Sequence, residues 1–219
     1  MPDTFFTSHQ RATVEAAMAR IIPTDDTPGA REAGCIDFLE RYLSGLGYIF
    51  AKPDGSGFEV LTGRSANAWI QRIETMRGRY AEGIDDLDRR ARSSFAQDFV
   101  SLSPEEQDGI LRDVERDGTG QPTTLTPNDA LAGPVSAKPA LQQTSTEVDL
   151  DFLPLLVTHT RQGFYADPIY GGNKDRVGWT TIGFPGPASM KDVHTGRYTT
   201  LQYFAEGEAE KVKEFHDGL

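Results

Sequence analysis

The residues able to do chemistry are few and far apart in this sequence. His159 stands on the apolar side of a helix-patterned stretch. With Asp167 or Asp25 it could act as a general base in an independent hydrolase or lyase. The plainer reading is a core histidine satisfied by its neighbours. Asp25 and Asp26 sit together in "PTDD", where two carboxylates could ligate a cation, or cap a turn and the start of the next helix. Lys174 follows two glycines in "GGNKDR" without the spacing of a phosphate loop, so this segment reads as a turn. "GSGFEV" and "GTGQPT" lack the glycine spacing and helical sequel that a dinucleotide requires. The four histidines, His9, His159, His194 and His216, form no H-E-x-x-H pair, and no G-x-S-x-G elbow is present. Cys35 is the only cysteine, which rules out an intrachain disulfide, a C-x-x-C-H haem attachment and cluster ligation by cysteines of this chain. The residues thus assign no catalytic, cofactor-binding or metal-binding position.

The elements that must hold these residues are helices, with loops between them. Thr7 or Ser8 caps a first helix carrying Val14, Met18, Ile21 and Ile22, and Pro23 stops it. A second helix is expected from about Arg31 to Gly47, with Cys35, Phe38, Leu39, Tyr42, Leu43 and Leu46 on one stripe, packed on the first as a hairpin. Residues 51 to 65 are loop. Trp69, Ile70, Ile73 and Met76 mark a third helix, and Leu87, Ala91, Phe95 and Phe99 a fourth from about Asp85. "SPEE" starts a fifth with Ser103 as N-cap, Pro104 at the first position and Glu106 closing a capping box. Phe152, Leu155, Leu156, His159 and Thr160 define a sixth, in which Pro154 is tolerated only within the first turn. Two short tail helices follow, one near 198–204 and one in "EGEAEKVKEFH". No run alternates with period two, so the expected class is all-α, an irregular helical domain with long loops. One domain over 1–219 is expected, with 117–147 as a linker or extended arm, since its Gly, Pro, Thr and Gln leave little to bury.

The segment "GFYADPIYGGNKDRVGWTTIGFPG" (163–186) is too rich in glycine and proline for a regular helix or strand, yet it is dense in aromatic rings. Glycines let backbones approach closely while a ring buries ~150–250 Å², which suits a protein interface or the completion of this chain's own core. A formal net charge of −11 and a pI of about 4.8 argue against nucleic acid as a partner. No stretch reaches the ~18 apolar residues of a transmembrane helix.

"ARIIPTDDTPGAREAGCIDFLERYL" (19–43), followed by "HTRQGFYADPIYGGNKDRVGWTTIGFPG" (159–186), resembles the gluconate 2-dehydrogenase subunit 3 family. These are the small, or gamma, subunits of bacterial flavin-dependent sugar and sugar-acid dehydrogenases. The resemblance implies a non-catalytic partner of a large FAD subunit of the glucose-methanol-choline type, often with a haem c subunit accepting electrons. FAD and haem would belong to those partners, and this chain would stabilise or mature the large subunit. A transient folding or export chaperone is the alternative within the same setting. Family members commonly carry a twin-arginine leader, which is lacking here. Periplasmic location follows from the resemblance, cytoplasmic location from a real lack of leader. The substrate is open between sugar acid, free sugar and glycoside. The expected partner-facing residues are Tyr165, Asp167, Pro168, Tyr170, Gly171, Gly172, Asn173, Trp179, Phe184 and Pro185. In that loop Asp167 is expected to cap the turn begun by Pro168, Gly171 and Gly172 to supply positive φ, and Asn173 and Asp175 to bond backbone across it. Tyr170, Trp179 and Phe184 are the anchor candidates.

Overall fold

The structure is a computed structural model that describes residues 5–118, 147–187 and 189–196. Residues 119–146 of the expected arm and both expected tail helices lie outside the described residues. Thr7 opens α1 (Ser8–Ile21) with a capping box. Its hydroxyl accepts from the Gln10 N–H at 3.2 Å, and the Gln10 amide oxygen accepts from the Thr7 N–H at 3.0 Å. Helix α2 (Cys35–Ser44) starts at the first residue of its apolar stripe, later than the expected Arg31, and ends before Gly47. Residues 29–34 are held in turns by Ala33 N–H to Gly29 O and Cys35 N–H to Ala30 O, and Gly34 enters the helix at φ 65°.

The third and fourth helices of the sequence reading are one helix, α3 (Gly63–Phe95), 33 residues long and so about 50 Å from end to end. Tyr80 and Ile84 continue the stripe from Met76 to Leu87 and Ala91 without interruption. Gly83 within this helix opens a notch: a Cβ there would lie 2.1 Å from the Phe152 ring. Ala96 ends α3 in the left-handed region, and Phe99, expected on the helix, lies in the following 3₁₀ turn Phe99–Ser101. That turn is pinned by Asp88, whose carboxylate accepts from the Phe99 N–H at 3.0 Å.

Ser103 and Glu106 form the expected capping box of α4 (Pro104–Asp117), with Pro104 at its start. Helix α5 (Phe152–Tyr165) carries Pro154 in its first turn, where a missing N–H costs no intrahelical bond. Two short helices follow, α6 (Val177–Thr181) and α7 (Met190–His194). Among the described residues there is no strand, only an isolated antiparallel bridge between Ala51 and Phe58. The all-α expectation holds. Val14 and Met18 of α1, Leu39 and Leu43 of α2, Met76 and Leu87 of α3, Ile110 of α4 and Leu155 and Leu156 of α5 meet in one apolar cluster. Each large aliphatic side chain buried there contributes about 1.5–3 kcal/mol. The ends of the expected arm are fixed: Asp117 pairs with Arg90 at 2.7 Å, and Glu147 is drawn into the core.

Candidate functional site

The two sequence motifs, more than a hundred residues apart, fold against each other. Helix α5 crosses α2 so closely that a Cβ on Gly163 would lie 3.0 Å from the Cα of Cys35, and the Cys35 thiol donates to Thr160 O at 3.5 Å. Burial pushes that thiol up to about 12, so it is a packing group and not a nucleophile. The "PTDDTPGA" turn prepares this crossing. Asp25 accepts from the Thr27 N–H and hydroxyl, both at 2.8 Å, and Glu32 accepts from the Thr24 hydroxyl and the Gly29 N–H. These bonds hold both carboxyls below their ordinary range. The capping reading of Asp25 is right for the turn, whereas Gly34 stands at the start of α2. Gly29 is required for space, since a Cβ would lie 2.6 Å from three backbone atoms of Ile22–Thr24.

The loop after α5 builds on that base. Asp167 accepts from the Ile169 N–H at 2.9 Å and caps the 3₁₀ turn Pro168–Tyr170, as expected. Gly171 takes φ 103°, as expected, but Gly172 does not take positive φ. It is glycine because a Cβ would sit 2.1 Å from Gly163 O, whose carbonyl accepts the Asn173 N–H at 2.7 Å. Positive φ falls instead on Asn173, Asp175 and Arg176, an accumulation that costs energy in non-glycine residues. Asn173 offsets this as the hub of the loop. Fully buried, it donates to Ala166 O at 2.9 Å and accepts from the Gly178 N–H at 2.9 Å. Asp175 makes no corresponding bond among the described residues and is exposed. Lys174 closes the junction through its backbone, donating N–H to Ala33 O at 3.0 Å, so "GGNKDR" is a turn.

The aromatic residues separate into two sets. Trp179 is 5% exposed; its Nε1–H donates to Tyr165 O at 2.8 Å, and Gly186 packs against its ring. Tyr170 is half-buried and tied to the 51–58 loop, its hydroxyl accepting from the Ala51 N–H and its ring lying 5.6 Å from that of Phe58. Tyr165, Ile182 and Phe184 face outward at 43%, 57% and 36% exposure, with Pro185 exposed beside them. Trp179 supports this outer set: its ring meets Phe184 edge-on at 5.3 Å, and its carbonyl accepts the Phe184 N–H at 2.8 Å. On the α2 side of the loop, Asp37, Glu40, Arg41, Tyr48, Lys174 and Asp175 line an open groove of about 460 Å³.

His159 is placed far from a reactive role. It is fully buried, Nδ1 bonded to the Tyr80 hydroxyl at 2.8 Å, with Tyr42 edge-on at 5.3 Å. Its polar neighbours among the described residues are Tyr80 and Glu147, whereas Asp167 and Asp25 are engaged in their own turns. Glu147, Arg72, Tyr42, Gln162 and Tyr80 around it form a polar cluster that sequence reasoning missed. One signal was available: Arg72 lies among Trp69, Ile73 and Met76 on α3, where a buried guanidinium needs a carboxylate. No group of three or more His, Cys, Asp or Glu side chains suited to a metal ion gathers among the described residues. Nor is any described helix long and apolar enough to cross a membrane.

Comparison with curated proteins and with solved structures yields no match. The family model described as gluconate 2-dehydrogenase subunit 3 matches residues 8–186, a span that contains α1 to α5, the "PTDDTPGA" turn and the whole loop built upon it. The chain therefore belongs to the gluconate 2-dehydrogenase subunit 3 family.

Proposed function

We propose that this chain is the non-catalytic small subunit of an FAD-dependent sugar or glycoside dehydrogenase of the glucose-methanol-choline type, and that it stabilises or matures the large flavin subunit. Redox chemistry in such an assembly belongs to the flavin of the partner. Where a haem c subunit completes the complex, that subunit takes the electrons onward. The observation that carries the reading is the junction of the two motifs. Glycine contacts and strained backbone go into a fixed irregular surface, and its polar side chains bond to backbone instead of lining a reaction site. The large subunit docks on the Tyr165, Ile182, Phe184 and Pro185 face, where rings are exposed on a backbone that has little freedom to lose.

The test is co-expression with a large flavin-dependent oxidoreductase subunit of the glucose-methanol-choline type encoded by a neighbouring gene. A complex that elutes together and shows flavin absorbance only when the large subunit is present is the expected result. Two separately eluting proteins, or turnover of a sugar by this chain alone, would overturn the proposal.

A further inference from the structure

Glu147 is a carboxylate placed where carboxylates rarely go. Its side chain is 14% exposed, and it faces donors from three helices. Arg72 of α3 donates to Oε2 at 2.6 Å, Tyr42 of α2 donates to Oε2 at 3.1 Å, and Gln162 of α5 donates to Oε1 at 2.7 Å. His159 Nε2, without a hydrogen-bond partner among the described residues, stands 3.9 Å from Oε2. Arg72, Tyr42 and His159 are oriented by groups other than Glu147. The Arg72 guanidinium lies 5.0 Å over the Trp69 ring, Tyr42 stacks on Phe38 at 5.9 Å, and His159 is held by Tyr80.

The segment that brings Glu147 in is also held by Leu150, which is half-buried against the apolar cluster. Val148 is half-buried and Asp149 exposed, and both border an open groove of about 370 Å³ with Trp69, Arg72 and Thr75. Beyond them, Asp151 faces Arg79 at 3.5 Å just before α5 begins.

We propose that Arg72, Tyr42, Gln162 and His159 form a carboxylate-binding site whose occupant is Glu147, so that residues 147–151 are a strap whose buried carboxylate latches it onto the α2–α3 face. The site is complete in the folded helices before the strap arrives. Removing the occupant leaves a slot, continuous with the groove beside Trp69, that accepts a small carboxylate from solution. This inference stands independently of the assembly in which the chain works.

Chemical rescue tests it. Glu147→Gly lowers the melting temperature of the full chain by about 6–12 °C, because Arg72, Tyr42 and Gln162 lose the carboxylate they share. Sodium acetate on the order of 100 mM then recovers about half of that loss, a concentration scale set by replacing an intramolecular group with a free one. Sodium chloride at the same ionic strength does not, nor does acetate rescue Glu147→Gly combined with Arg72→Met. Equal melting temperatures in acetate and chloride would overturn the proposal. Should Glu147→Gly not fold, Glu147→Gln decides by keeping the shape without the charge. A loss of at least about 5 °C supports the site, and melting within about 2 °C of the unsubstituted chain refutes it.

Discussion

Around Glu147, donors from three helices close on one carboxylate with little solvent left, whereas around Gly172 the side chains are absent and backbone meets backbone. The first region joins elements by charge, the second by shape. Charge tolerates small movements of its donors, as the 3.9 Å gap between His159 and Glu147 illustrates. Shape does not, because a carbonyl 2.1 Å from a new Cβ has nowhere to go. The interior cluster therefore fixes how the chain returns to the core, and the glycine junction fixes what the surface looks like.

The largest expected effect breaks the shape side of this contrast. Gly178→Ala sets a Cβ 1.9 Å from Phe164 O and Gly172→Ala sets one 2.1 Å from Gly163 O, in both cases against backbone. Each should cost about 3 kcal/mol or more in urea unfolding, the upper end of overpacking. A loss below about 1 kcal/mol would show that the junction yields.

The charge side is sharpened by pH. Burial alone would raise the Glu147 carboxyl, but His159, Gln162 and Arg72 more than offset it and hold it well below its ordinary value of 4.5. With the folded-state value depressed, the carboxylate's contribution is fully present above about 4.5 and is lost as pH falls toward the folded value. The stability difference between the unsubstituted chain and Glu147→Gln, about 3 kcal/mol at pH 7, should shrink steadily below pH 4.5. A difference that stays constant down to pH 3 would contradict the assignment. Next in size, Trp179→Phe removes the bond to Tyr165 O while keeping a ring, and should cost about 1 kcal/mol in the same urea assay. The smallest effect is a gain: Gly109→Ala in α4 meets nothing within 4 Å and should stabilise by about 0.5–1 kcal/mol.

The contrast also explains what the sequence could disclose. Capping at Thr7 and Ser103 and the apolar stripes are local, and the helices they predict are present. Glycine was ambiguous wherever its reason was distant. Gly83 gives no local sign of its role, because the Phe152 ring that needs its notch comes from α5. Gly172 was assigned positive φ when its neighbour Gly163 O demanded space instead, and Arg176 carries a left-handed φ that no residue type announces. Glu147 was hidden because it closes a stretch whose composition favours no structure, while its partners sit on three separate helices. The aromatic segment is legible in the sequence, but its faces are not: Trp179 is buried behind Tyr165 and Phe184, a division that depends on the fold of the loop.

We propose a rigid junction whose outer rings receive the large subunit. Its most direct test is the affinity of purified large flavin subunit for this chain against Tyr165→Ser/Phe184→Ser, measured by titration after both chains are shown to melt within about 2 °C of each other. The expected result is a loss of at least about tenfold, the effect of removing two aromatic anchors. Unchanged affinity of an equally stable variant would contradict it.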